Sequence, residues 1–300
     1  MHKKRIWTGI LAGLCMLALI FDGKTAVTSI QDGIQLCLQT VIPALFPFFL
    51  LSPILIGALW GVSPGFLKRI GKLCKIPTGA ESLMVIGLIS GYPVGAQLTA
   101  QAYKEGKISL DSARRMLGFC NNAGPAFIFG MLSPLFSNSR IPWVLWLIHI
   151  LGAIIAGILL PGKYEQGKII TIQDSSVTIG EILRNAIRTM AIVCGWLLAF
   201  RLILGFCQRW FLWLMPIEIQ VLFSGVLELA NGCMNLSLLP SEGMRFLYAS
   251  MFLALGGVCV GMQTMSVTQK TGIGMYFPGK VIQALVSLVL SSILCPFLFT

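Results

Sequence analysis

Four short stretches of an otherwise apolar sequence carry polar side chains beside glycine. The first holds Ser90, Gly91, Tyr92, Gln97 and Thr99, and the second Asn121, Asn122 and Gly124. The third holds Ser224, Glu228 and Asn231, and the fourth Gly257, Gln263 and Thr264. Amides donate to carboxylates and accept from hydroxyls and ring nitrogens, so this set is equipped to bind a small polar molecule. It lacks the parts of a catalyst: there is no HExxH, GxSxG, P-loop or pair of carboxylates, and no enzyme activity is expected. The nine cysteines are scattered singly, without a CxxC or Cys/His pair. They read as small apolar fillers between helices rather than as a metal or disulfide framework, and no cofactor is expected. His2 and His149 stand alone in the sequence.

Glu228 is the one acid near the centre of an apolar segment. A charged carboxylate there costs about 2.5–3.5 kcal/mol on insertion scales. It must be protonated, ion-paired or facing water, either as a substrate acceptor or coupling-ion site (H+ or Na+), or as a structural bond to a nearby helix end.

The elements holding these residues follow from composition. Of 300 residues, 56% are apolar and 11% charged, and the mean hydropathy is +0.84. Soluble domains carry roughly 25% charged residues, so the exterior here must be largely lipid. The net charge of +11 reads as a topology marker, since Lys and Arg gather in cytoplasmic loops, and not as a nucleic-acid surface.

His2-Lys3-Lys4-Arg5 precedes an apolar run from Ile6 to Phe21 without a cleavage site after it, which predicts a retained first helix with a cytoplasmic N-terminus. The residues after Asp22 predict an amphipathic interfacial helix. Crossings are expected at Val41–Trp60, Met116–Ser137, Ile141–Leu160, Ala186–Phe206, Phe246–Val267 and Val281–Phe299. Ser82–Tyr103 and Ile217–Leu239 are expected as re-entrant hairpins. This layout of seven crossings, counting the first helix, puts 17 of the 22 Lys and Arg on the cytoplasmic side, Lys168, Lys270 and Lys280 among them, and the C-terminus outside.

One unit occurs twice in it, in opposite orientation: a lead-in span, a Gly-broken hairpin, a Gly-broken span and a closing span. Gly91 lies 33 residues before Gly124, and Gly225 lies 32 before Gly257. Matched, broken apolar segments in two halves are the sequence pointer to a secondary transporter site. Non-helical backbone is tolerated at membrane depth only where protein or a water-filled cavity satisfies it, and half-helix N-termini favour anions. Pro93 and Pro125 suit first turns of restarting helices, with Asn122 near a cap. Taken singly, each break could also serve close helix packing.

Several stretches resemble the YlbJ family of sporulation integral membrane proteins, which carry two nucleoside-recognition or gate domains. They are Leu45-Phe46-Pro47-Phe48-Phe49, Ile89-Ser90-Gly91-Tyr92-Pro93-Val94-Gly95-Ala96-Gln97-Leu98-Thr99-Ala100 and the segment Phe119 to Gly130 with Cys120-Asn121-Asn122-Ala123-Gly124-Pro125. Ser224-Gly225-Val226-Leu227-Glu228 and Gly256 to Gln263 complete the set. The resemblance implies an architecture like that of concentrative nucleoside transporters, and movement of dipicolinate across the outer forespore membrane. In the nucleoside carriers a hairpin glutamate and amides bind ribose and base, and Glu228, Asn231 and Gln97 hold similar places here.

The expectation is therefore an all-α polytopic membrane protein with two inverted repeats, re-entrant hairpins and broken helices. The parts are an N-terminal helix (1–30), a first gate-type repeat (31–161), a cytoplasmic linker (162–180) and a second repeat (181–300). The expected cargo is a small organic anion, most simply dipicolinate. The alternatives are a nucleoside or related molecule, or a non-transporting scaffold of a sporulation or envelope complex. Ser90, Gly91, Tyr92, Gln97, Thr99, Asn121, Asn122, Gly124, Ser224, Glu228, Asn231, Gly257, Gln263 and Thr264 would line its site.

Overall fold

Long apolar runs can satisfy their backbone polar groups in lipid as helices, and the computed structural model, which describes residues 2–165 and 178–299, is mostly helical. No strand occurs among them. Most of the linker expected at 162–180, with Lys168, lies outside the described residues, as do the side chains of residues 2–5, 11 and 270.

The helices are α1 (His2–Phe21), α2 (Gly23–Leu36), α3 (Ile42–Leu59), α4 (Gly65–Leu73), α5 (Glu81–Ser90), α6 (Val94–Lys104), α7 (Leu110–Met116) and α8 (Pro125–Phe127). There follow α9 (Ile141–Leu159), α10 (Ile179–Trp210), α11 (Ile217–Leu227), α12 (Leu229–Asn235), α13 (Glu242–Leu255), α14 (Gly257–Thr268) and α15 (Tyr276–Leu298). Several starts are legible in the sequence. Ser109 and Ser241 cap α7 and α13, and Thr178 with Glu181 forms a capping box on α10.

Among the described residues, five helical stretches are long and apolar enough to cross a membrane: Gly23–Leu59, Ile141–Leu159, Ile179–Trp210, Glu242–Thr268 and Tyr276–Leu298. The expected first crossing, Ile6–Phe21, is shorter, and the expected Met116–Ser137 crossing is built from pieces: α8 runs into a π-turn (Ile128–Leu132) and a 3-10 turn (Ser133–Leu135). Those pieces still traverse the fold. At one end the Met275 N–H donates to the Arg114 carbonyl, 2.8 Å. At the other, the Ser137 N–H donates to Glu242, 3.0 Å, so residues 114–137 span the same depth as α13 and α14 together.

The segment after Asp22 is continuous with the span that follows it. α2 continues through a π-turn (Cys37–Val41) into α3, because Pro43 lacks the N–H that would close a regular turn. The joined helix packs antiparallel along α10, with Arg201 paired to Asp32 at 2.7 Å and Ser29 beside Gly205. α2 buries Ser29, Gly33 and Leu36, while Gln31, Gln35 and Gln39 stay exposed, and the boundary expected at residue 30 falls inside α2.

Both hairpins fold back, α5 onto α6 and α11 onto α12. Gly91 makes the first bend at φ +82°, a conformation that strains residues with a Cβ. The packing repeats between halves. α5 lies on α8 and α11 on α14 within a half, whereas α6 lies on α14 and α12 on the 128–132 turn across halves. Lead-in spans α3 and α10 pack together, as do closing spans α9 and α15. The molecule is an all-α polytopic membrane protein.

Candidate functional site

The breaks of both halves meet around a narrow cavity of about 40 Å³. Four predicted residues line it: Tyr92 and Gly124 from the first half, Glu228 and Gln263 from the second. The rest of its wall is mostly apolar, including Leu45, Phe127, Val193 and Val260. A mostly apolar wall with a few convergent polar groups is the usual make-up of a small-molecule pocket.

The helix N-termini at the breaks are largely filled by the chain itself. The Glu228 carboxylate caps α12, accepting from the Ala230 N–H (3.0 Å), the Asn231 N–H (2.7 Å) and Asn231 Nδ2 (2.7 Å). The structural role left open by the sequence is therefore real, and the same residue also faces the cavity. Asn121 Oδ1 accepts from the Ala96 N–H in the first turn of α6, 3.3 Å. Its Nδ2 donates to Thr264 Oγ1 in the other half, 3.0 Å.

Before α8 the Ala123 N–H donates to His149 Nε2, 3.1 Å. Asn122, expected near that cap, instead donates backward to the Phe119 carbonyl, 2.6 Å. Pro125 does occupy the first turn of α8, while Pro93 sits one residue ahead of α6. The start of α14 has no side-chain cap. Gly256 and Gly257 turn there at φ +72° and +78°, and a Cβ on Gly257 would lie 3.1–3.3 Å from the carbonyls of Gly225, Val226 and Leu227. The positive end of α14 thus abuts the carbonyl end of α11.

The remaining predicted residues lie apart from the cavity. Ser90 Oγ bonds Ser52 Oγ at 2.6 Å, tying the hairpin to α3. Thr99 bonds the Gly95 carbonyl of its own helix, 2.7 Å. Ser224 bonds the Gln220 carbonyl and receives Asn235 Nδ2 at 3.1 Å. Gln97 accepts from Thr189 at 3.2 Å and borders two wider clefts between α6 and α10, one also bounded by α3.

A second polar centre was missed. Lys280, counted as a loop cation, is fully buried. Its Nζ donates to Asn122 Oδ1 (3.0 Å) and Gln283 Oε1 (2.8 Å), and lies 5.1 Å from the centre of the Tyr92 ring. Gln283 Nε2 in turn donates to Asn122 Oδ1 (3.0 Å) and the His149 carbonyl (3.1 Å). His149, isolated in sequence, is thus part of a cluster. A usable signal existed: Lys280, Gln283, Ser287 and Ser291 recur at helical spacing along apolar α15, and all four are buried.

Fold and buried centre together define a polytopic helical membrane protein built from two halves around a central cavity. Comparison with known proteins adds a relative. The chain is 25% identical to the sporulation integral membrane protein YlbJ of Bacillus subtilis (strain 168), over 332 aligned positions covering 97% of this chain and 78% of that one. The likeness runs along nearly the whole of this chain. No family model matches, so the two nucleoside-recognition domains rest on the motif residues alone. No solved structure matches.

Proposed function

We propose that the protein is a membrane transporter of a small organic anion, dipicolinate, acting in the outer forespore membrane during sporulation. The observation that carries this reading is the cavity drawn from helix breaks in both halves, the arrangement expected of a carrier that rocks about a central site. Its apolar walls suit the face of a pyridine ring, and Gln263 on the same wall suits a polar substituent. Similarity to a sporulation protein supplies the setting.

A second reading, a nucleoside or similar hydroxylated molecule, is favoured by Glu228. A carboxylate on the cavity wall accepts from ribose hydroxyls and repels a dianion.

Uptake into liposomes containing the purified protein tests both. Saturable dipicolinate flux is expected, and a deletion strain should leave dipicolinate in the mother cell and deplete the spore. Absence of saturable flux for dipicolinate and nucleosides alike would overturn transport and leave the scaffold role.

A further inference from the structure

Lys280 is a fully buried amine without a counter-ion. Among the described residues no carboxylate pairs with it. Its oxygen partners, Asn122 Oδ1 and Gln283 Oε1, are neutral amides. Gln283 is held by its own donations to Asn122 and the His149 carbonyl, so its Oε1 remains turned to the lysine. The titratable groups facing Lys280 are Tyr92 from the hairpin bend, Tyr276 from its own helix, Cys120 from the broken span and His149 from α9. α13, also packed on α15, commits Glu242 to Ser137 and Arg245 to the carbonyls of Leu135 and Leu239, and its Tyr248 packs against Phe252. None of these neighbours brings a compensating negative charge.

The cavity and this cluster share the Tyr92 ring. Tyr92 lines the cavity, and Asn122 immediately precedes Ala123 and Gly124, which also line it. An ammonium buried without a counter-charge is unfavourable. An anion in the cavity supplies that charge near Tyr92, through an interior that screens weakly. Proton on the lysine and anion in the cavity therefore stabilise one another, and such coupling is reciprocal.

Resting on the transport reading above, we propose that Lys280 is the coupling site of the carrier. Its Nζ takes one proton from water as the anionic cargo binds and returns it to water where the cargo leaves, so a proton crosses with each anion. Glu228, the other candidate, is already engaged by three N–H donors at the start of α12. The cleft that Arg114, Arg115 and Met275 line lies less than two turns from Lys280 along α15.

Calorimetric titration of the purified full-length protein with metal-free dipicolinate, in buffers of different ionisation enthalpy, tests this. The wild type should take up about one proton per dipicolinate bound. Lys280→Arg keeps the charge but has no proton to gain, and should bind dipicolinate without proton uptake. Lys280→Met should bind at least tenfold more weakly, also without uptake. Binding to wild type without proton uptake overturns the proposal even if no variant folds, and so does unchanged uptake in Lys280→Arg. No dipicolinate binding by folded wild type overturns the transport reading itself and the coupling site with it.

Discussion

Asn121 Nδ2 donates to Thr264 Oγ1 at 3.0 Å, joining the broken span of one half to that of the other. Both residues are fully buried, and Asn121 Oδ1 is at the same time the acceptor for the Ala96 N–H. One side chain thus holds three elements at the level of the breaks: the first turn of α6, the segment before α8, and α14.

Replacing Asn121 by Ala leaves the Ala96 N–H and the Thr264 hydroxyl without this partner. A buried group left unsatisfied costs about 1–3 kcal/mol, so a clear fall in melting temperature is expected. Thr264→Val removes one bond only and should cost about 1 kcal/mol. Thermal melting of the detergent-purified variants, with the double variant closing the cycle, measures the coupling. Fully additive effects would mean that the bond contributes nothing.

Glu228→Gln separates the two cargo classes. The amide keeps the shape but offers one acceptor where the carboxylate offers two, and weaker capping of α12 should cost about 1 kcal/mol. In the liposome assay the variant should take up dipicolinate with a KM several-fold lower, because a negative wall group no longer meets a dianion. A KM more than tenfold higher, with nucleoside flux falling in parallel, would assign the hydroxylated cargo.

Gly87 and Gly95 lie on either arm of the first hairpin, and a Cβ on either would run into the Cys120 carbonyl. The arms hold that carbonyl between them with no room for a methyl group. Gly95→Ala should force hairpin and broken span apart, at about 1–3 kcal/mol or more. Gly130→Ala, where a Cβ meets nothing within 4 Å, is the control. Monodisperse yield and melting temperature of both variants check it. Equal behaviour would show that the hairpin has slack.

Much of the fold is legible in the sequence because lipid imposes a simple rule: apolar runs become helices, and Gly or Pro within them marks where they break. That rule is enough to place both hairpins, the matched breaks of the two halves and the all-α class. It is also enough to single out Glu228, since one acid in an apolar segment is costly wherever it lies.

What the pattern could not reveal is which polar groups satisfy one another. From sequence, the half-helix N-termini looked free to receive an anion. In the fold, Asn121, His149 and Glu228 occupy them, and α11 abuts the last. Lys280 looked like one more positive charge at a loop, because counting Lys and Arg sees position along the chain and not burial. His149 and Asn122 lie 131 and 158 residues from it in sequence, and only the crossing of α9 with α15 beside the broken span gathers them into one cluster. Hydropathy is a local property and is read locally; hydrogen-bond partners and buried charge depend on which helices pack side by side, and that is decided by tertiary structure.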